Sequence, residues 1–199
     1  TSSNRYIELK NTTGSTVSLD GYQLAAWSDS PPSDNEGWKT GTNTSLRITD
    51  LTGYSIPANG SFLVADIGAS LPEYAASSAD LVNPITTNGT STSYNGDDSV
   101  VLYQGTGFTQ EEVVDAVSFT GNQGADISIY RVSDTQQGFD FVSGTSYLNF
   151  PGTWATKTLA EVSSASPSDD WFLKASQPPK YLSLSIAPNT FSEGAGAAA

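Results

Sequence analysis

The sequence predicts an all-β protein, a sandwich or barrel of short strands, on three observations. Apolar and polar residues alternate with period two in run after run, helical periodicity is scarce, and turn residues recur roughly every ten positions. A chain of 199 residues with 37% hydrophobic and 11% aromatic residues carries enough apolar surface for one core of moderate size.

The first element is R-Y-I-E-L-K-N-T-T-G-S-T-V-S-L-D-G-Y-Q-L, Arg5 to Leu24. Ile7 and Leu9 fall on one face of a strand and Tyr6, Glu8 and Lys10 on the other. After the polar turn, Val17 and Leu19 alternate with Ser18 and Asp20, and Gly21 punctuates before Tyr22 and Leu24. The expectation is a hairpin. A long polar loop, W-S-D-S-P-P-S-D-N-E-G-W-K-T (27–40), follows.

I-P-A-N-G introduces a buried strand, S-F-L-V-A (61–65). The Ala-rich stretch 71–81 is expected to form one short helix. N-G-D-D leads into S-V-V-L-Y (99–103), and V-V-D-A-V-S-F (113–119) places Val113, Val117 and Phe119 on one side of a strand. I-S-I-Y-R (127–131) is the last strand of the series. Residues 132–178 are expected to wrap loosely around the sandwich and dock their aromatics, Trp154 and Trp171 among them. Q-P-P-K (177–180) reads as a linker, and Y-L-S-L-S-I (181–186) as the first strand of another unit.

The charge excludes some functions. Eight basic residues against twenty-one acidic ones, formally −13, repel phosphates, and the basic residues are scattered, so direct nucleic-acid binding is not expected. No apolar run is long enough to span a bilayer, so membrane insertion is not expected either. With no His and no Cys, Ser-His-Asp and Cys-His catalysis and ordinary zinc sites are ruled out.

Carboxylates remain. Asp97 and Asp98 are the densest pair, but in N-G-D-D the turn reading, with Asp accepting backbone N–H groups, outweighs metal binding. Glu111 and Glu112 read as a solvated pair at a strand entrance. Recognition is placed in the 27–40 loop, on Asp34, Glu36 and Trp38, because loops on a rigid sandwich carry binding and an exposed Trp anchors sugars or proteins. Trp27 reads as core. Arg131 reads as a structural ion pair or a snorkelling surface residue. The three N-x-S/T sequons, at Asn11, Asn43 and Asn88, are chance matches in a chain so rich in these residues.

Several of these motifs together resemble a known family. Ile7, Glu8, Leu9, Asn11, Val17, Leu19, Gly21, Tyr22 and Leu24 match the entry pattern of the lamin tail domain, I-E-L/I-x-N, then a turn, then V-x-L-x-G-W/Y-x-L. Residues 56–65, 95–103, 113–119 and 125–131 are similar to its later motifs, in the family's order and over about two-thirds of the chain. The resemblance implies an immunoglobulin-like β-sandwich over residues 1–178. The family's opening I-S-E-type strand has no match here, which leaves a sheet edge open unless that strand lies upstream.

L-S-L-S-I-A-P-N-T-F-S-E-G-A-G resembles the opening of a Calx-beta-like domain, so residues 179–199 are expected to be a linker and the truncated first strand of such a module. Glu193 matches a residue that helps bind calcium there, but one carboxylate does not hold an ion that takes six to eight oxygens. No catalytic residue and no cofactor are expected, with structural calcium at inter-domain junctions the one metal left open.

The function implied is a non-catalytic interaction or scaffold module of a larger exported or cell-surface bacterial protein, with protein or cell-surface carbohydrate as partner. A second reading is a carbohydrate-binding module using Trp38 with Tyr54 or Tyr94 as a flat platform. A third is a carboxylate-only hydrolase, which needs two acidic side chains facing across a cleft.

Overall fold

A computed structural model describes residues 4–27, 46–71, 74–84, 89–95, 98–108, 112–117, 127–131, 154–164 and 184–186. Its strands, in chain order, are β1 (Tyr6–Asn11), β2 (Val17–Ser18), β3 (Tyr22–Trp27), β4 (Leu46–Asp50), β5 (Ser55–Ile56), β6 (Ser61–Asp66), β7 (Leu81–Asn83), β8 (Ser99–Gln104), β9 (Val113–Val117), β10 (Ile127–Arg131), β11 (Trp154–Thr158) and β12 (Leu184–Ile186). Among the described residues one α-helix, α1, covers Leu159–Ser163. The all-β sandwich expected from the alternation is the fold observed.

One sheet has the order β12-β1-β6-β7 and the other β4-β3-β8-β9. Between them lies a cluster that includes Ile7, Leu9, Leu24, Phe62, Val64 and Leu102. The period-two rule explains its membership: Leu9 stands opposite Phe62, and Ile7 opposite Val64, so one face of each strand points inward together. In the second sheet Leu24 pairs with Leu102 and builds the facing surface. Truncating such a side chain, as in Leu9→Ala, costs about 2–5 kcal/mol through lost burial and the cavity left behind.

The opening phrase is not a hairpin. β1 pairs with β6 and β12, β2 pairs with β5, and β3 belongs to the opposite sheet. The chain from Asn11 to Tyr22 is therefore an arch that crosses from one layer to the other. Packing decides this, since crossing lets the apolar faces of β1 and β3 meet across the core, whereas a hairpin would place them side by side in one sheet. Asn11 fixes the arch: its side chain, 0% exposed, donates to the carbonyls of Ser15 (2.8 Å), Ile56 (3.0 Å) and Pro57 (2.9 Å) and accepts from the Thr13 N–H (2.9 Å).

The outer faces are not simply solvated. Tyr6, Leu63, Ala65, Tyr74 and Val162 form a second cluster on the far side of the first sheet. Tyr6 stacks on Tyr74 with ring centroids 4.0 Å apart, and its hydroxyl hydrogen-bonds Ser128 at 2.7 Å. A third cluster, with Ala25, Trp27, Val101 and Tyr103, lies on the far side of the second sheet.

Three expectations need correction. Val113 and Val117 do not share a face: a bulge between Leu102 and Tyr103 shifts the register, so Val113 joins the outer cluster and Val117 the central one. Phe119 lies outside the described residues. In the 71–81 stretch the described helical structure is a single 3-10 turn, Ala76–Ser78, with no side-chain cap and no buried residue to hold a longer helix. The region after 131 is not all loose wrapping. Residues 154–158 pair with β10, and α1 follows at once behind a capping box, in which Thr158 Oγ1 accepts from the Glu161 N–H and Glu161 Oε2 accepts from the Thr158 N–H. Trp171 lies outside the described residues.

Residues 184–186, expected to open another unit, run parallel to β1 as the edge strand of the first sheet, with Leu184 opposite Leu9.

Candidate functional site

The loop expected to carry recognition, with Asp34, Glu36 and Trp38, lies outside the described residues, but its two stems do not. It leaves the second sheet at Trp27 and returns at Leu46, and these two residues are direct partners in the β3–β4 ladder. Ser99, the first residue of β8, pairs with Trp27 from the other side. The loop base is thus at one end of the sandwich, with β8 beside its β3 stem and the β4 stem at the edge of the sheet.

The stems are held from below. Trp27 is buried, as its core reading required, and its Nε1–H donates to the Tyr103 hydroxyl at 3.1 Å. The Tyr103 ring meets Phe108 edge-on at 5.3 Å, and burial pushes the hydroxyl well above the usual tyrosine range. Arg47, next to Leu46, donates to the Ser93 carbonyl and to Asp98 Oδ2 (2.5 Å). Asp98, 2% exposed, also accepts from the Asn95 N–H at 2.8 Å. The carboxylate considered for metal thus holds a turn and an arginine, and Asp97 lies outside the described residues.

A buried polar seam continues the brace across the sandwich. Thr49 on β4 donates to Asn83 Oδ1 on β7 at 3.1 Å, and its hydroxyl accepts from Ser91 Oγ at 2.7 Å and from the Ser91 N–H at 3.2 Å. Asn83 Nδ2 donates to Ser91 Oγ (3.3 Å) and Thr92 Oγ1 (3.2 Å). Buried polar groups must be paired, and here each satisfies another, so the polarity of these residues is accounted for by the seam they lock. Sequence reasoning missed this seam. The T-S-T-S run at 90–93 was its only trace, and nothing local says that such a run is buried.

The other residues singled out have structural employment as well. The Tyr94 hydroxyl donates to the Tyr6 carbonyl (2.8 Å) and accepts from the Tyr6 N–H (3.2 Å), its ring packs on the central cluster, and burial pushes its pKa up to about 12. Tyr54 packs edge-on against Phe62 at 5.2 Å. Neither is an open platform, so the flat aromatic surface of the carbohydrate reading would rest on Trp38 without them. Glu112 Oε1 accepts from the Gly107 N–H at 3.2 Å, and Glu111 lies outside the described residues. Asn11, the sequon residue, has its side chain fully engaged and buried. Arg131 closes β10 opposite Trp154. Glu193, Asn43 and Asn88 lie outside the described residues.

Among the described residues no group of three or more Asp, Glu, His or Cys is arranged to hold a metal ion, and no helix is long and apolar enough to cross a membrane. Fold and site together define a class: an all-β sandwich in which residues 28–45 connect two paired strands at a braced end. No family model, no curated protein and no solved structure matches the chain.

Proposed function

We propose that the protein is a non-catalytic recognition module, a lamin-tail-like, immunoglobulin-like sandwich within a larger exported or cell-surface bacterial protein, and that the 28–45 loop meets its partner. One observation carries the reading: the loop springs from two directly paired residues, Trp27 and Leu46, on a base locked by Arg47–Asp98 and by Thr49–Asn83. A rigid base lowers the entropy lost when a loop engages a partner, which is how sandwiches present binding loops.

The family reading is supported by what its motif positions do. Asn11 is the buried clamp of the arch, Leu9 and Leu24 face each other across the core, and Gly21 turns at φ +79°, where other residues are strained. The Calx-beta-like resemblance of residues 179–199 does not enter the proposal, because residues 184–186 complete the first sheet of this sandwich.

The test is solid-phase binding of the chain to a glycan array and to immobilised surface proteins, beside Trp38→Ala and the Asp34→Ala/Glu36→Ala pair. Binding reduced at least tenfold in the variants, with unchanged melting, supports the loop. Equal binding by all three chains overturns it, and signal on glycans alone selects the carbohydrate reading.

A further inference from the structure

The outer edge of β1 holds a second feature, which stands apart from the loop. Successive residues of a strand direct their backbone groups to opposite sides. The Asn11 N–H bonds the Gly60 carbonyl on the β6 side, while the Tyr6 N–H and C=O both meet the Tyr94 hydroxyl. Tyr6, Glu8 and Lys10 therefore point their backbone groups away from β6, along the sheet's outer edge. At Tyr6 that edge is stopped by Tyr94. At Leu9–Asn11 it is covered by β12, three residues running parallel, which also lie beside β9 of the opposite sheet.

Three residues make a short ladder, and parallel pairing is the weaker kind. The strand is joined to α1 by twenty residues, 164–183, whose fully extended reach is about 65–70 Å. Effective concentrations across linkers of this length are of the order of 1 mM, so an identical segment on another copy is expected to compete once protein concentration approaches that value. A slot and its matching segment in the same chain also satisfy the condition for reciprocal exchange between two copies.

We propose that the β1 edge from Glu8 to Asn11 is a strand-acceptor site, and that its occupant exchanges between copies: residues 184–186 fill the site of their own chain or, reciprocally, that of a second copy. The module thereby carries a means of linking two parent chains through β-augmentation. Tyr94 sets the length of the site by closing it at Tyr6, so the strand cannot lengthen toward the start of β1.

The chain has no cysteine, which makes the exchange readable by cross-linking. Thr12→Cys and Ala187→Cys flank the paired residues. The double variant at about 10 μM is expected to link within one chain, and an equal mixture of the two single variants to link between chains, with a yield that rises steeply towards about 1 mM. Leu184→Pro/Ser185→Pro, which disfavours the strand in either phase, should abolish both links. An internal link with no link between chains at 1 mM overturns the exchange. No link of either kind, or links that survive the prolines, overturns the site itself. Should a cysteine variant fold poorly, the full-length proline variant gives an independent reading: excess peptide of residues 181–187 should slow hydrogen exchange at the Lys10 amide, and no slowing refutes the acceptor.

Discussion

Thr49 and Asn83 meet at 3.1 Å across the gap between the two sheets, one on the edge strand of each. They stand where a sandwich would otherwise need apolar side chains, and with residues 90–92 they close one flank of the core by hydrogen bonds. Thr49→Val should cost about 1–3 kcal/mol in urea unfolding, because Asn83 and Ser91 lose a buried partner. With Asn83→Ala a double-mutant cycle should show coupling of about 0.5–3 kcal/mol. Simple additivity would refute the seam.

Asn11 donates to three carbonyls, so a carboxylate in its place would face oxygens. Asn11→Asp should be destabilising at pH 7 by roughly 2–4 kcal/mol. The environment raises the folded-state pKa of the new group above its ordinary value of about 3.9. Its destabilisation is therefore smallest below that value and grows as pH rises through the folded pKa. Urea midpoints at pH 3.5 and 7, each compared with the parent chain, give the sign.

Two glycines with similar backbone should differ in cost. Gly21 has φ +79° with open space at its missing Cβ, so Gly21→Ala meets only conformational strain, about 1–2 kcal/mol. Gly89 has φ +75°, but a Cβ there would lie 2.7 Å from Arg47 Cδ and 3.0 Å from Ser93 Oγ. Gly89→Ala should cost at least about 1 kcal/mol more, because Arg47 must move from a partly buried pair with Asp98. Equal melting of the two variants would show that the brace yields freely.

Burial pushes the hydroxyls of Tyr22 and Tyr94 up to about 12. Above pH 10 the unfolded chain releases protons that the folded chain keeps, so these groups' contribution is whole below about pH 10 and lost as pH rises through their folded values. At the acid end, the Gly53 N–H lowers Asp20 and the Thr52 N–H lowers Asp50. Their contribution is present above the ordinary carboxylate range and fades as pH falls through the folded values. Melting across pH 2–12 should give a plateau falling at both ends, with tyrosinate absorbance appearing late on the alkaline limb.

Much of the fold was legible. Alternation put Ile7 and Leu9 on one face, which points inward, and the runs 61–65 and 99–103 were legible as strands, because side-chain period is a local property of an extended chain. The capping box of α1 was also written locally, as T-L-A-E, but sat in a stretch read as loose wrapping. The candidate loop could be located by its composition, and its base could not, since the Arg47–Asp98 pair joins residues 51 positions apart.

What the sequence determined by itself was the class of structure: strands, their inward faces and the turns between them, all set by interactions over a few residues. Which strands pair was decided only in three dimensions. The phrase from Arg5 to Leu24 spells two strands and a turn equally well for a hairpin or an arch. Burying Leu9 against Phe62 on one side and opposite Leu24 across the core selected the arch, and Asn11 clamped it. The same holds at the edge of β1: local pattern named 184–186 a strand, and only packing could say which sheet it would join.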